Sequence, residues 1–96
     1  MRVISKKALE EFWAKHPRAK APLEAWHALA RKAVWTNFAE LRADFRSADA
    51  VGKHVVFDIG GNKFRLVTAI HFNSGKVFIR AVLTHREYDD GKWKDD

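Results

Sequence analysis

Ninety-six residues, 47% of them apolar and with four Trp and seven Phe among them, are enough for one small domain, residues 1–96, around a single core. There is no Cys, which excludes disulfides and thiolate metal sites, and no apolar run nears the ~18 residues of a membrane span. The net charge is +6, yet the last ten residues hold five of the 12 acidic side chains and two of the 18 basic ones, so a basic body precedes an acidic end.

A basic body is consistent with two readings: attraction to a polyanion through Lys/Arg–phosphate contacts, or a solvated surface that keeps the chain in solution. The opening MRVISKKALEEFW carries charges where a signal peptide needs an apolar stretch, so a cytoplasmic domain is expected.

Met1 to Ile4 fits a short opening strand, and Ser5 is a helix N-cap residue. From Lys6 to about His16, Leu9, Phe12 and Trp13 fall at i, i+3 and i+4, the stripe of an amphipathic helix whose apolar side is core. His16-Pro17 stops it. Ala21-Pro22 opens a second helix, with Leu23, Trp26, Leu29, Ala30, Ala33 and Val34 as its apolar face, and the short link predicts an antiparallel helical hairpin. His27 lies off that stripe and is expected in solvent. Phe38, Leu41 and Phe45 suit a short third helix capped by Thr36 or Asn37. Arg46 to Asp49 is turn-rich, and Gly52 closes it.

Three strands follow: His54 to Ile59, Lys63 to Phe72 and Lys76 to Thr84. Gly60-Gly61-Asn62 and Asn73-Ser74-Gly75 join them as tight hairpins. The expected fold is therefore α+β, an N-terminal strand and a helical hairpin packed on an antiparallel sheet. Period two sorts the side chains of the second long strand into a core set, Phe64, Leu66, Thr68, Ile70 and Phe72, and an opposite set holding Arg65 and His71. On the last strand Val77, Ile79, Ala81 and Leu83 are the expected core set. Arg65 and Arg80 then point away from the helices on exposed positions, with His85 and Tyr88 just beyond the strand's end. The residues after Asp89 read as a tail.

Neither a P-loop, nor a nucleophile elbow, nor HExxH is present, and the histidines lack ligand spacing, so neither a metal site nor a cofactor is expected. The remaining set, Lys53, His54, Lys63, Arg65, Arg80, His85, Arg86 and Tyr88, suits metal-free cleavage of RNA. RNA brings its own nucleophile, the 2′-hydroxyl; the protein must supply a base, an acid and cations for the transition state. Arg offers a permanently charged fork for phosphate oxygens, and His changes charge near neutral pH. The structural alternatives are ion pairs of Arg65 and Arg80 with Asp58 or Glu87, packing of Tyr88 at the sheet end, and a capping or backbone bond for His85.

These residues also carry a resemblance. RVISKKAL at the start, Trp35, Phe38 and Leu41-Arg42 in the middle, the turn GGNKFR and the end FIRAVLTHREYD follow one another as in the HigB branch of the RelE-like toxins of type II toxin–antitoxin systems. The sequence resembles that family from Met1 to about Trp93. The resemblance implies a RelE-like fold and an mRNA interferase, an endonuclease that cuts mRNA in the A site of the 70S ribosome and stops translation. It implies neutralisation by a HigA-type helix-turn-helix antitoxin and no membrane partner. It also implies catalytic roles for Arg65, Arg80, His85, Tyr88 and His54, and RNA binding by Lys53, Asn62, Lys63 and Arg86. The competing function is a non-catalytic RNA-binding or regulatory module. Such a sheet should display stacking aromatics on its open face, where only Phe78 is expected.

Overall fold

In the computed structural model, which describes residues 1–95, the chain runs as β1 (Arg2–Ile4), α1 (Lys6–Lys15), a 3-10 turn (Pro17–Ala19), α2 (Lys20–Lys32), α3 (Phe38–Asp44), β2 (Asp49–Val51), β3 (His54–Ile59), β4 (Phe64–His71), β5 (Lys76–Thr84), α4 (His85–Asp90) and a last 3-10 turn (Lys92–Asp95). The expected α+β architecture is present, but the sheet has five strands in the order β1-β5-β4-β3-β2 rather than four. Only β1 runs parallel to its neighbour, β5; the other pairs are antiparallel.

The additional strand, β2, falls on Asp49-Ala50-Val51, a stretch expected as a turn. It pairs with the start of β3, so that Val51 faces His54. Three residues are too few to show an alternating pattern, and its strand character comes from the ladder it completes.

Helix–sheet packing forms the main core. Leu9 of α1, Leu23, Trp26 and Ala30 of α2, and Leu41 of α3 meet Val55, Phe57 and Ile59 of β3, Phe64 and Leu66 of β4 and Val77 of β5. Edge-to-face aromatic contacts knit this layer: Trp26 to Phe57 at 5.3 Å and Phe45 to Phe57 at 5.1 Å between centroids. Phe12 and Trp13, expected in the core, pack at its margin and are half-buried. His27 is also half-buried rather than solvated; burial first, then Lys6 and Arg31, push its pKa below the usual imidazole value.

The caps follow the residues. Asn37 is the N-cap of α3, its side chain accepting from the Glu40 N–H at 2.9 Å, and the Trp35 indole donates to Asp44 at 2.8 Å. Ser5 takes the N-cap position of α1 without a side-chain bond.

Period two holds along β4 and fails along β5. The β4–β5 ladder pairs Val67 with Ala81 and Thr68 with Ile79, which leaves Arg80 as one extra residue, a β-bulge. Past the bulge the alternation reverses. Val82 joins the helix-side core, whereas Ala81 and Leu83, expected there, belong to the opposite face.

That opposite face has a second, smaller apolar cluster. Val56, Val67 and Trp93 are buried in it, with Val51, Ala81, Leu83 and Tyr88 around them. The end of the chain, expected as a tail, builds this cluster. Thr84 caps α4 in a reciprocal capping box with Glu87 (Glu87 N–H to Thr84 Oγ1 3.2 Å, Thr84 N–H to Glu87 Oε1 2.9 Å). Gly91, in the left-handed region at φ 79°, ends the helix and turns the chain back, and Trp93 lies down on the sheet.

Candidate functional site

Two depressions on the face of the sheet that the helices leave open hold Arg65 and Tyr88 on one side and Lys53, His54 and Arg80 on the other. The first is a groove of about 270 Å³ lined by Arg42, Ser47, Ala48, Asp49, Val56, Asp58, Arg65 and Tyr88. The second is a cleft of about 650 Å³ lined by Lys53, His54, Ala69, Ile70, His71, Ile79 and Arg80.

Arg65 is the floor of the groove. It was expected exposed, yet it is only 8% accessible. The ladder sets Arg65 opposite Asp58 on β3, and the pair closes with Nε 3.1 Å from Oδ1. Its Nη1 donates to the Phe64 carbonyl at 3.1 Å, and its Nη2 donates to Asn62 Oδ1 in the Gly60-Gly61-Asn62 turn. That turn has both glycines at positive φ (63° and 70°), which only glycine adopts without strain. Every nitrogen of the fork therefore has a partner inside the protein. Burial here is tolerable because the charge is paired and hydrogen-bonded.

Tyr88 forms the wall. Its ring lies under the Arg65 guanidinium carbon at 5.4 Å and stacks on Trp93 at 5.0 Å, with 15° between planes. Burial, followed by the negative charges of Asp49, Asp58 and Asp89, pushes its phenol above the usual value, against the pull of Arg65. At neutral pH the group is a neutral O–H donor. Asp49, Ser47 and Arg42 complete the rim. The sequence reading did not assign these three to the site; Arg42 had entered only as part of a motif, and β2 had to be recognised before Asp49 could be placed.

The cleft is of another kind. Arg80, the bulged residue, is exposed; its guanidinium carbon stands 5.5 Å from the Phe78 ring, and it has no ion pair among the described residues. Lys53 is exposed beside it, and His71 meets Phe78 edge-on at 5.0 Å. None of the lining residues is acidic. His54 is the exception to this openness, 5% accessible and edge-on to Trp93 at 5.7 Å.

The other expected residues stand apart. His85 opens α4 on its outward side, half-exposed, with Nε2 3.1 Å from Asp89 Oδ2, while its backbone N–H donates to the Lys63 carbonyl at 3.0 Å. It lines neither depression. Arg86 and Lys63 are exposed and also line neither. Asn62 is exposed at the groove's edge and is committed to Arg65.

Between the two depressions sits Trp93, in contact with His54 on one side and Tyr88 on the other. The open face is thus richer in aromatic rings than Phe78 alone. Among the described residues no group of three His, Cys, Asp or Glu could hold a metal ion, and no helix is long and apolar enough to cross a membrane.

Comparison with known proteins adds the family. Residues 19–91 match the family described as the HigB toxin, the RelE-like toxic component of a toxin-antitoxin system. The mRNA interferase toxin HigB of Escherichia coli (strain K12) is 39% identical over 92 residues, which cover 93% of this chain and 88% of that protein. The mRNA interferase HigB of Shigella flexneri is similar to the same extent, and an mRNA interferase HigB of Escherichia coli O6:H1 is 29% identical over 93% of this chain and 89% of its own length.

Proposed function

This chain belongs to the HigB family of RelE-like toxins, the toxic components of toxin–antitoxin systems, and we propose that it is a cytoplasmic, metal-independent endoribonuclease that cuts mRNA on the ribosome. The observation that carries the reading is the groove. A preorganised arginine fork and a neutral phenol meet there, on a basic chain whose relatives are named mRNA interferases.

In this reading residues 1–96 act as one toxin domain. The substrate's 2′-hydroxyl attacks the adjacent phosphorus, and the 5′-oxygen leaves. Arg65 stabilises the charge that develops on the phosphoryl oxygens, already oriented by Asp58 and Asn62 before substrate arrives. Arg80 and Lys53 hold the backbone in the cleft as exposed cations. Tyr88, protonated at neutral pH, donates to the phosphate or orients the nucleotide rather than acting as base. His54 and His85 are the two candidates for proton transfer, one buried in the wall of the cleft against Trp93 and one half-exposed outside both depressions. Lys63 and Arg86 add exposed positive charge for RNA outside both depressions.

Positioning is expected to supply much of the rate, since orientation can contribute ~7–11 kcal/mol and no imidazole lines the groove. Programmed 70S ribosomes with mRNA in the A site are therefore the substrate, and a HigA-type antitoxin with a helix-turn-helix domain is the partner that silences the toxin. Expression of the chain alone should arrest growth. In vitro, single-turnover cleavage should occur on programmed ribosomes, survive a metal chelator once ribosome integrity is controlled, and be far slower on naked RNA. Normal growth with the protein accumulated at high level, and no cleavage on ribosomes, would leave the non-catalytic RNA-binding module as the better reading.

A further inference from the structure

The Trp93 indole lies flat in a nearly closed aromatic and apolar seat on the open face of the sheet. It lies parallel to Tyr88 at 5.0 Å and 15°, meets the edge of His54 at 5.7 Å, and rests on Val56 and Val67 with 6% of its surface accessible. Two of the residues assigned to RNA chemistry above, His54 and Tyr88, are covered by that one ring.

The hold on this ring is light in directed bonds. Its indole N–H donates to the Tyr88 carbonyl at 2.9 Å, and the Lys94 N–H donates to the Gly91 carbonyl at 3.1 Å. Both bonds tie the segment to its own chain neighbourhood at the end of α4, and among the described residues no hydrogen bond ties it to the sheet. What holds Trp93 on the strands is apolar burial and ring stacking, the same interactions by which an aromatic platform holds a base. The two are of the same order, so a base can take the indole's place at little net change. A left-handed glycine, Gly91, precedes the segment as a ready pivot.

We infer that the position of the Trp93 ring is a nucleobase site, and that the C-terminal segment beginning at Gly91 vacates it when single-stranded RNA binds. The inference rests on the proposed function and specifies how its site opens. In the closed arrangement Tyr88 has its ring engaged by Trp93 and His54 is shut from solvent; displacement frees both at once.

Two measurements on the full chain test it. With 5-fluorotryptophan in all four Trp positions, and the Trp93 signal assigned by W93F, a short 2′-O-methyl oligoribonucleotide that cannot be cut is titrated in. The Trp93 resonance should move to a solvent-exposed position as the oligonucleotide binds. An oligonucleotide that binds while the Trp93 signal stays buried overturns the inference, and if that protein still cuts mRNA on ribosomes the proposed function survives. In the second measurement W93A should bind the same oligonucleotide about tenfold more tightly than wild type, because no ring competes for the site. Weaker binding by a folded W93A would make Trp93 a structural residue and defeat the inference. If W93A does not fold, the fluorine titration of the unmutated chain decides alone. Absence of both oligonucleotide binding and ribosomal cleavage brings down inference and function together.

Discussion

Arg65 and Arg80 sit on neighbouring strands of one sheet, and the protein uses them in opposite ways. Arg65 is buried, with its fork shared among Asp58, Asn62 and the Phe64 carbonyl. Arg80 stands exposed on a bulge, stacked on Phe78 and free of acidic partners among the described residues. The groove is built for precision, because its cation cannot move and much of its charge is offset locally. The cleft is built for attraction, because its cations are exposed and no acidic residue lines it. A cation that positions and a cation that attracts leave different signatures, and mutation can separate them.

The largest effect is expected at Arg65. Arg65→Ala should lower single-turnover cleavage by ~10²–10³, as loss of one preorganised donor does. It should also destabilise the fold by ~1–3 kcal/mol, because the Phe64 carbonyl and Asp58 lose a charged partner in a mostly buried setting. Cleavage at the wild-type rate would move the active site out of the groove. Arg65→Lys keeps the charge but not the fork, and should recover stability better than rate.

Arg80→Ala should leave thermal stability within ~0.5 kcal/mol of wild type, since the side chain is exposed. Its mark is on salt dependence. Removing one cation that contacts phosphate should flatten the log affinity against log salt slope for single-stranded RNA by ~0.7, while Arg65→Ala should flatten it less because Asp58 already offsets its charge. Equal slopes for the two variants would erase the distinction between the regions.

A weaker perturbation touches the groove alone. Thr84→Ala removes the capping box that starts α4, the helix that carries Tyr88, and should cost ~1 kcal/mol in thermal melts. Rate should fall modestly while oligonucleotide contacts in the cleft stay intact. If binding at the cleft weakens as much as cleavage does, the depressions act as one unit.

The smallest expected effect is an absence. Because its surroundings raise the Tyr88 phenol above its ordinary value, its stabilising protonated form is fully present below a pH of ~10 and is lost only as pH climbs through the raised value. Melts between neutral pH and that limit should show no pH dependence from Tyr88, and Tyr88→Phe should have the same pH profile as wild type there. A phenol-dependent loss of stability near pH 8 would contradict the buried, acid-ringed setting.

Much of the helix-side core was legible from spacing, although Leu29 and Val34, expected on the apolar face of α2, are exposed, Val34 because the helix ends at Lys32. Leu9, Leu23, Trp26, Phe57 and Leu66 are all apolar at the period of their element, and the hairpin glycines marked both turns. What escaped was non-local. Whether Arg65 is exposed depends on a cross-strand Asp58 and on a turn residue reaching back, and period two says only which face it takes. The phase of Ala81 to Leu83 depends on a one-residue insertion that pattern does not reveal. Trp93 gave no signal because an acidic, lysine-flanked end reads as solvated, and its burial depends on Gly91 turning the chain onto the sheet. Of the expected site, Arg65 with Tyr88 and Lys53 with Arg80 were brought together; His85 was not, because starting α4 points it outward.

The bulge at Arg80 also makes β5 two half-strands in a single ribbon. Upstream of it the even-numbered residue Phe78 looks to the open side, and downstream the even-numbered Val82 looks to the helices. A saturation scan read along this strand should therefore slip phase by one position at residue 80. Tolerance to polar side chains should be lowest at odd numbers before it and shift to Val82 after it. Deleting Arg80 would remove the bulge and set Ala81 directly after Ile79, still opposite Val67, so that Ala81 and Leu83 keep their place beneath Trp93 while the cleft loses its cation.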